Sequence, residues 1–223
     1  AAVSGGGGRA AAPPRREAAM ATIAAVNAAL FEEFGLRGNQ ADYYNTNNSF
    51  LHAVLEKKQG IPISLCIVWV AVARRRGLVC HLLAGFPRHV LVRVPVQGEL
   101  GDTAGDAARG DLYVDAFSLG KCMDWAGLVD FASQMMAPPV MAPAALDEAL
   151  RSWVEVLPPV HIYMRLLRNL INIYQQQRDI VRLAGVVAQM LALGGPHVEF
   201  ERLSSELAQV LGRAAPDGQE AQE

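Results

Sequence analysis

Between residues 20 and 34 the apolar side chains Ile23, Val26, Ala29, Leu30 and Phe34 recur every three or four positions, which predicts an amphipathic helix stopped by Gly35. Residues 37–50 then mix Gly, Asn and Asp with Tyr43 and Tyr44, which is loop chemistry. Asn48 or Ser49 can cap the short helix that follows, whose exposed end carries Glu56, Lys57 and Lys58. Gly60 breaks the chain, and Pro62 suits a first helical turn, where its missing N–H has no partner to lose. From Pro62 to Arg76 apolar residues cover most of the circumference. Ile63, Cys66, Ile67, Val70 and Ala73 form one face, and Leu65, Val68, Trp69 and Val72 fill most of the rest. A helix apolar nearly all round is enclosed by other elements, and Gly77 ends this one.

Three strands follow, over residues 79–85, 89–96 and 111–117. In the second, Val90, Val92 and Val94 alternate with His89, Leu91 and Arg93. The polar stretch after it, rich in Gly and Asp, predicts an antiparallel pair joined by a mobile loop. A hairpin symmetric about residue 102 sets His89 opposite Asp115, with both side chains on one face. After Gly120 the pattern is helical again, at 125–135 and, past a proline-broken passage, at 146–157. Met135, Met136 and Met141 beside those prolines suit an adaptable core edge. The segments 161–176 and 180–193, joined tightly through Gln177, Arg178 and Asp179, suit a tetratricopeptide-like helical hairpin. A last helix is predicted at 199–212, before a polar tail.

Composition narrows the function classes. The chain has 223 residues, 52% of them hydrophobic, enough for one substantial core and a helical appendage. A net charge of −2 and only short basic clusters (Arg15 and Arg16; Lys57 and Lys58; Arg74, Arg75 and Arg76) argue against nucleic acid or a membrane as partner. No apolar run reaches the ~18 to 20 residues that cross a bilayer. Cys66, Cys80 and Cys122 are odd in number and widely spaced, which fits neither a disulfide framework nor a zinc site. The expectation is a soluble protein in a reducing compartment, the cytoplasm or an organelle interior. His52, His81, His161 and His197 form no spaced ligand set, so no metal and no cofactor are expected. Residues 1–18 are rich in Ala, Gly and Arg with one acid, which suits a disordered linker or the remnant of a plastid or mitochondrial import sequence; disorder is expected over 1–19 and again over 214–223.

The chemistry-bearing residues fall in the order Cys66 on a helix, His89 on one strand, Asp115 on the next. A papain-like or transglutaminase-like site has that order: a thiolate attacks an acyl group, imidazole moves the proton, and a carboxylate fixes the imidazole tautomer. The order by itself is weak evidence, and each residue also has a structural explanation. Cys66 suits a core, and His89 with Asp115 suits a strut between the sheet and the central helix.

The stretches LFEEFGLRGN (30–39), DYYNTNNSFLHAVLEKKQGIPISL (42–65), GFPRHVLVRV (85–94), YVDAF (113–117) and RLLRNLINIY (165–174) resemble the SirB family over roughly residues 22–200. The resemblance implies an α+β fold, with a transglutaminase-like core containing a central buried helix and a small antiparallel sheet (20–137), then a helical tetratricopeptide-like segment (138–213). A related module in an F-box protein suggests, by analogy alone, a link to protein turnover. His89 and Asp115 match the family's site, while the position of a nucleophile at the helix start holds Pro62. Cys66 lies on the same helix face about 6 Å deeper, at ~1.5 Å per residue. There it loses the free N–H groups and dipole that activate a thiol. Ser64 points elsewhere on the helix. The leading expectation is a non-catalytic interaction or scaffold module whose cleft and C-terminal helices contact a protein partner. The alternative is a cysteine-dependent acyl-transfer or amide-hydrolysing enzyme using Cys66, His89 and Asp115.

Overall fold

The computed structural model describes residues 14–96, 107–136 and 141–194. The helix predicted first, α1 (Arg16–Asn27), runs on through a π-helical turn at Ala28–Glu33 before Gly35 takes a left-handed conformation. It begins inside the stretch expected to be disordered. Ala19 is fully buried and the Arg16 Nη1 donates to the Gly110 carbonyl at 3.2 Å, so packing orders a start whose composition alone reads as linker. Two-residue strands β1 (Arg37–Gly38) and β2 (Gln59–Gly60) pair in parallel around α2 (Leu51–Lys57). The cap differs from expectation. Asn45, not Asn48 or Ser49, accepts from the Asn47 amide, and it caps a 3-10 turn, Thr46–Ser49, that precedes α2.

The central helix α3 (Pro62–Arg75) has Pro62 at its first position and Gly77, with φ +79°, just past its end, as its flanking signals predict. Strands β3 (His81–Leu83), β4 (Leu91–Val94), β5 (Leu112–Asp115) and β6 (Lys121–Met123) form one antiparallel sheet in chain order, with α4 (Ala107–Gly110) before β5. The fourth strand was not foreseen: three residues after Gly120 are too few to show alternation.

Alternation along the strands gives the sheet two unlike faces. Val90, Val92, Val94, Leu112 and Val114 join Leu65, Cys66 and Trp69 of α3 in one core cluster, closed by α1. Leu83, Leu91, Tyr113 and Met123 join a second cluster with Leu128 and Ala132 of α5 (Trp125–Met135) and Leu146 and Leu150 of α6 (Pro143–Trp153). Helix α6, which follows the boundary expected at 137, thus packs on the outer face of the sheet. The Arg93 guanidinium strengthens that attachment by donating to the Val154 carbonyl at 3.2 Å and pairing with Asp111.

Helices α7 (Pro159–Gln177) and α8 (Ile180–Gly194) form the predicted hairpin. Leu167, Leu170, Ile171 and Tyr174 pack against Leu183, Val186, Val187 and Met190. Arg178 adopts a left-handed conformation at the corner and Asp179 accepts from the Arg182 amide, starting the second helix. Ile162 and Leu166 lay α7 against the α3 cluster. The helix and tail expected at 199–223 lie outside the described residues, as does most of the expected mobile loop.

One polar side chain ties three elements. The Asn27 amide donates to the Gly120 carbonyl at 2.8 Å and accepts from the Trp69 indole at 2.8 Å. Gly120, at φ +75°, has no room for a side chain there: a Cβ would lie 2.0 Å from the Asn27 Oδ1.

Candidate functional site

The β4–β5 register pairs Val92 with Val114 and Arg93 with Tyr113. Continued by one step, this sets Leu91 opposite Asp115, not His89. The hairpin is therefore centred on residue 103 and not on residue 102. His89 nevertheless reaches Asp115, from just outside the strand. Its Nε2 lies 2.9 Å from the Asp115 Oδ1. Arg88, immediately before it, is in the left-handed region at φ +56°, a conformation costing an L residue about 1 kcal/mol, which turns the chain so that the imidazole faces the end of β5. Phe131 of α5 and Phe117 clamp the ring edge-on, with centroids at 5.3 and 6.2 Å.

Asp115 is buried and accepts three hydrogen bonds: from His89, from the Phe117 amide at 3.0 Å and from the Ser118 hydroxyl at 2.7 Å. Burial alone would raise its pKa. The His89 bond and charge, then Ser118 and Phe117, outweigh burial and hold it below the ordinary carboxylate value. An ionised carboxylate only accepts, so the proton of this pair sits on Nε2 and Nδ1 is the ring nitrogen left for other chemistry. Such a pair can orient an imidazole and stabilise its cation beside a nucleophile, should one stand before Nδ1.

Cys66 does not stand there. It is fully buried in the α3 cluster, and its Sγ donates to the Val90 carbonyl at 3.3 Å. Burial pushes the thiol far above its usual range, the Asp115 charge pushes further, and the Ala116 amide only partly opposes them. By strand alternation Asp115 lies with Tyr113 on the α5 side, whereas Cys66 packs with the α3-side valines. Ser64 caps its own helix: the hydroxyl accepts from the Ile61 amide and donates to the Ile61 carbonyl, both at 3.1 Å. Pro62 fills the first, buried position of α3. Of the predicted residues, the structure brings together His89 and Asp115 and leaves Cys66 and Ser64 bonded to backbone.

Other residues singled out by sequence have local jobs. Asn48 holds the 42–48 loop through the Asp42 and Tyr43 carbonyls, and Tyr44 projects into solvent, 58% exposed. Met135 and Met136 pack at the edge of the α5 cluster, while Met141 is exposed. Sequence reasoning missed Ser118, Phe131 and Arg165, whose Nη1 donates to the Ala84 and Phe86 carbonyls beneath the His89 loop. For Ser118 a signal existed, since an Asp followed by a turn and a hydroxyl three positions on is an Asx-type pattern. Phe131 and Arg165 come from distant helices and carried none. Among the described residues no three His, Cys, Asp or Glu side chains gather where they could hold a metal ion, and no helix is long and apolar enough to cross a membrane.

A family profile described as transglutaminase-like superfamily matches residues 9–168. A UPF0162 protein of Xylella fastidiosa (strain Temecula1) is 36% identical over 171 residues, 77% of this chain and 55% of that protein. F-box only protein 21 of Mus musculus is 38% identical over 97 residues, 44% of this chain and 15% of its own length. The chain thus spans about half the length of the Xylella fastidiosa relatives it matches. No solved structure matches it significantly.

Proposed function

Because the chain belongs to the transglutaminase-like superfamily, we propose that it keeps that family's site as architecture and works as a non-catalytic protein-binding module. The observation that carries this reading is the place of the thiol. Cys66 is sealed in the core, hydrogen-bonded to the Val90 carbonyl, with a raised pKa, while Pro62 occupies the helix start where a thiolate would gain from free N–H groups. The motifs quoted above further assign the chain, in our reading, to the SirB branch of the superfamily. Its three cysteines are unpaired, which suits a reducing compartment. The binding surfaces are the aromatic surroundings of His89 and the C-terminal helices.

The intact His89–Asp115 pair favours a second reading, a cysteine-dependent acyl-transfer enzyme. That enzyme needs Cys66 to leave Val90 and emerge beside His89. Alkylation of the native protein with iodoacetamide, mapped by mass spectrometry, separates the two. The non-catalytic reading expects native modification at exposed Cys122, with Cys66 and Cys80 reacting only after unfolding. Rapid native modification of Cys66 that His89→Ala abolishes would establish the enzyme instead.

A further inference from the structure

Residues 84–90 join β3 to β4, carry His89 and are gripped by three helices. From α6 comes the backbone of Trp153, packed so closely that a Cβ on Gly85 would lie 3.0 Å from its carbonyl oxygen. From α5 comes Phe131, whose ring meets Phe86 at 5.9 Å and His89 at 5.3 Å. The fully buried Phe86 also stands edge-on to the Trp153 ring at 5.5 Å. From α7 comes Arg165, whose Nη1 donates to the Ala84 carbonyl at 2.7 Å and to the Phe86 carbonyl. Among the described residues no other donor reaches either carbonyl. The first two grips are packing, which tolerates small slides; the third is a polar bond, which weakens steeply once its length or angle is wrong.

Little slack separates those carbonyls from the imidazole. The ring of Pro87 fixes its φ, Arg88 occupies the left-handed well at φ +56°, and the Val90 carbonyl beyond His89 accepts from the Cys66 Sγ at 3.3 Å. A shift of the Phe86 carbonyl therefore passes to His89, three positions on, instead of being absorbed between them. Asp115 does not follow such a shift, because the Phe117 amide and the Ser118 hydroxyl hold it separately. Helix α7 belongs to two bodies at once. Ile162 and Leu166, on the same side as Arg165, lie against the α3 cluster, while Leu167, Leu170 and Tyr174 bind α7 to α8.

We propose that Arg165 is a positioning residue for His89, and that through it the α7–α8 hairpin governs how firmly the imidazole is held against Asp115. This coupling rests on the binding-module reading, in which the surroundings of His89 and the C-terminal helices are both binding surfaces, and it makes them one regulated surface. A protein that grips the hairpin alters the ring offered at the other contact. It does so only by as much as it prefers one setting of α7 over the other.

Nitrogen-15 spectra of the His89 imidazole in the 223-residue protein test the coupling, because the two ring-nitrogen shifts report the tautomer, which global stability does not set. Arg165→Met keeps the length of the side chain and removes both bonds. It should mix in the Nδ1–H tautomer and speed exchange of the Nε2 proton at least about tenfold, the worth of one hydrogen bond made by a charged group. Arg165→Lys, whose ammonium reaches one carbonyl at most, should fall between that variant and the parent. Val187→Ala, which loosens the buried face of α8, should move the His89 signals in the parent and leave them in place when Arg165→Met is also present. Val54→Ala, an equal truncation in α2, should leave them unmoved. Parent-like ring shifts in Arg165→Met, a Val187→Ala effect that persists without Arg165, or an equal response to Val54→Ala overturns the proposal. If Arg165→Met does not fold, Arg165→Lys decides alone, and a parent-like exchange rate overturns it. Native labelling of Cys66 would remove the non-catalytic reading and leave this coupling standing; ring signals indifferent to Arg165 would remove the coupling and leave that reading untouched.

Discussion

The two faces of the central sheet handle polar groups in opposite ways. On the α3 face a thiol and a serine hydroxyl are buried, and each bonds to backbone, Cys66 to Val90 and Ser64 to Ile61. At the α5 side a histidine and an aspartate are also removed from water, yet they bond to each other, and the carboxylate collects two further donors. The contrast separates packing from preserved chemistry. A polar atom that finds one backbone partner explains itself, whereas two side chains that meet at 2.9 Å, with two further donors gathered on the carboxylate, need several groups held in agreement.

If the α3 face is packing alone, its largest sensitivity is to volume. Trp69→Ala, which empties a fully buried site and strips Asn27 of its indole donor, should cost about 4 kcal/mol in guanidinium unfolding. A loss under about 2 kcal/mol would mean that α3 is not the centre of the core. On the other face the sensitivity should be to charge and donors. Asp115→Ala leaves His89 and the Phe117 amide without their acceptor and should cost about 3 kcal/mol.

The same carboxylate gives a pH signature. Its pKa is depressed in the folded protein, so the unfolded chain binds its proton more readily, and the associated stability is present above the unfolded value, near 3.8, and lost as pH falls below it. Unfolding curves between pH 6 and pH 2 should therefore show parent and Asp115→Asn converging at the acid end. Parallel curves would place the Asp115 charge outside the stability balance.

Smaller effects probe the thiol. Cys66→Ala should cost about 1 to 2 kcal/mol for lost apolar burial, and it should leave the His89 ring resonances unmoved, since the thiol bonds to Val90 and not to imidazole. The mildest change is the sharpest test. Pro62→Cys should alter stability by only about 1 kcal/mol while placing a thiol among the free N–H groups of the α3 start, where alkylation should outpace that of Cys66 by more than tenfold. Equal rates would show that the helix start has lost the nucleophile's surroundings as well as its side chain.

Much of this arrangement was legible before any coordinates. The long helices α3, α5, α7 and α8 carry either a full apolar circumference or a clean three-and-four spacing, and such signals survive tertiary context. The meeting of His89 with Asp115 was also legible, although the assumed hairpin centre was wrong. The side chains bridge that offset because His89 sits outside the strand and approaches diagonally. Other features were invisible for definite reasons. Strand β6 is three residues long, and the first turn of α1, Arg16 to Ala19, looks like linker until Ala19 meets the core. Phe131 and Arg165 act on the His89 loop from 42 and 76 positions away, which no local pattern announces.

The Asn27 bridge has a consequence for how the molecule breathes. Fraying of α1 as far as Asn27 breaks two bonds at once, to the Trp69 indole and to the Gly120 carbonyl. The Gly120 amide in turn donates to the Asp115 carbonyl at 2.9 Å, so the turn that seats the carboxylate is held from its far side by the first helix. Local openings of α1 and of this turn should therefore be one event, and the Gly120 amide should exchange with solvent deuterium at the rate of the last turn of α1. Anything that grips the first helix then sets how long His89 keeps its partner.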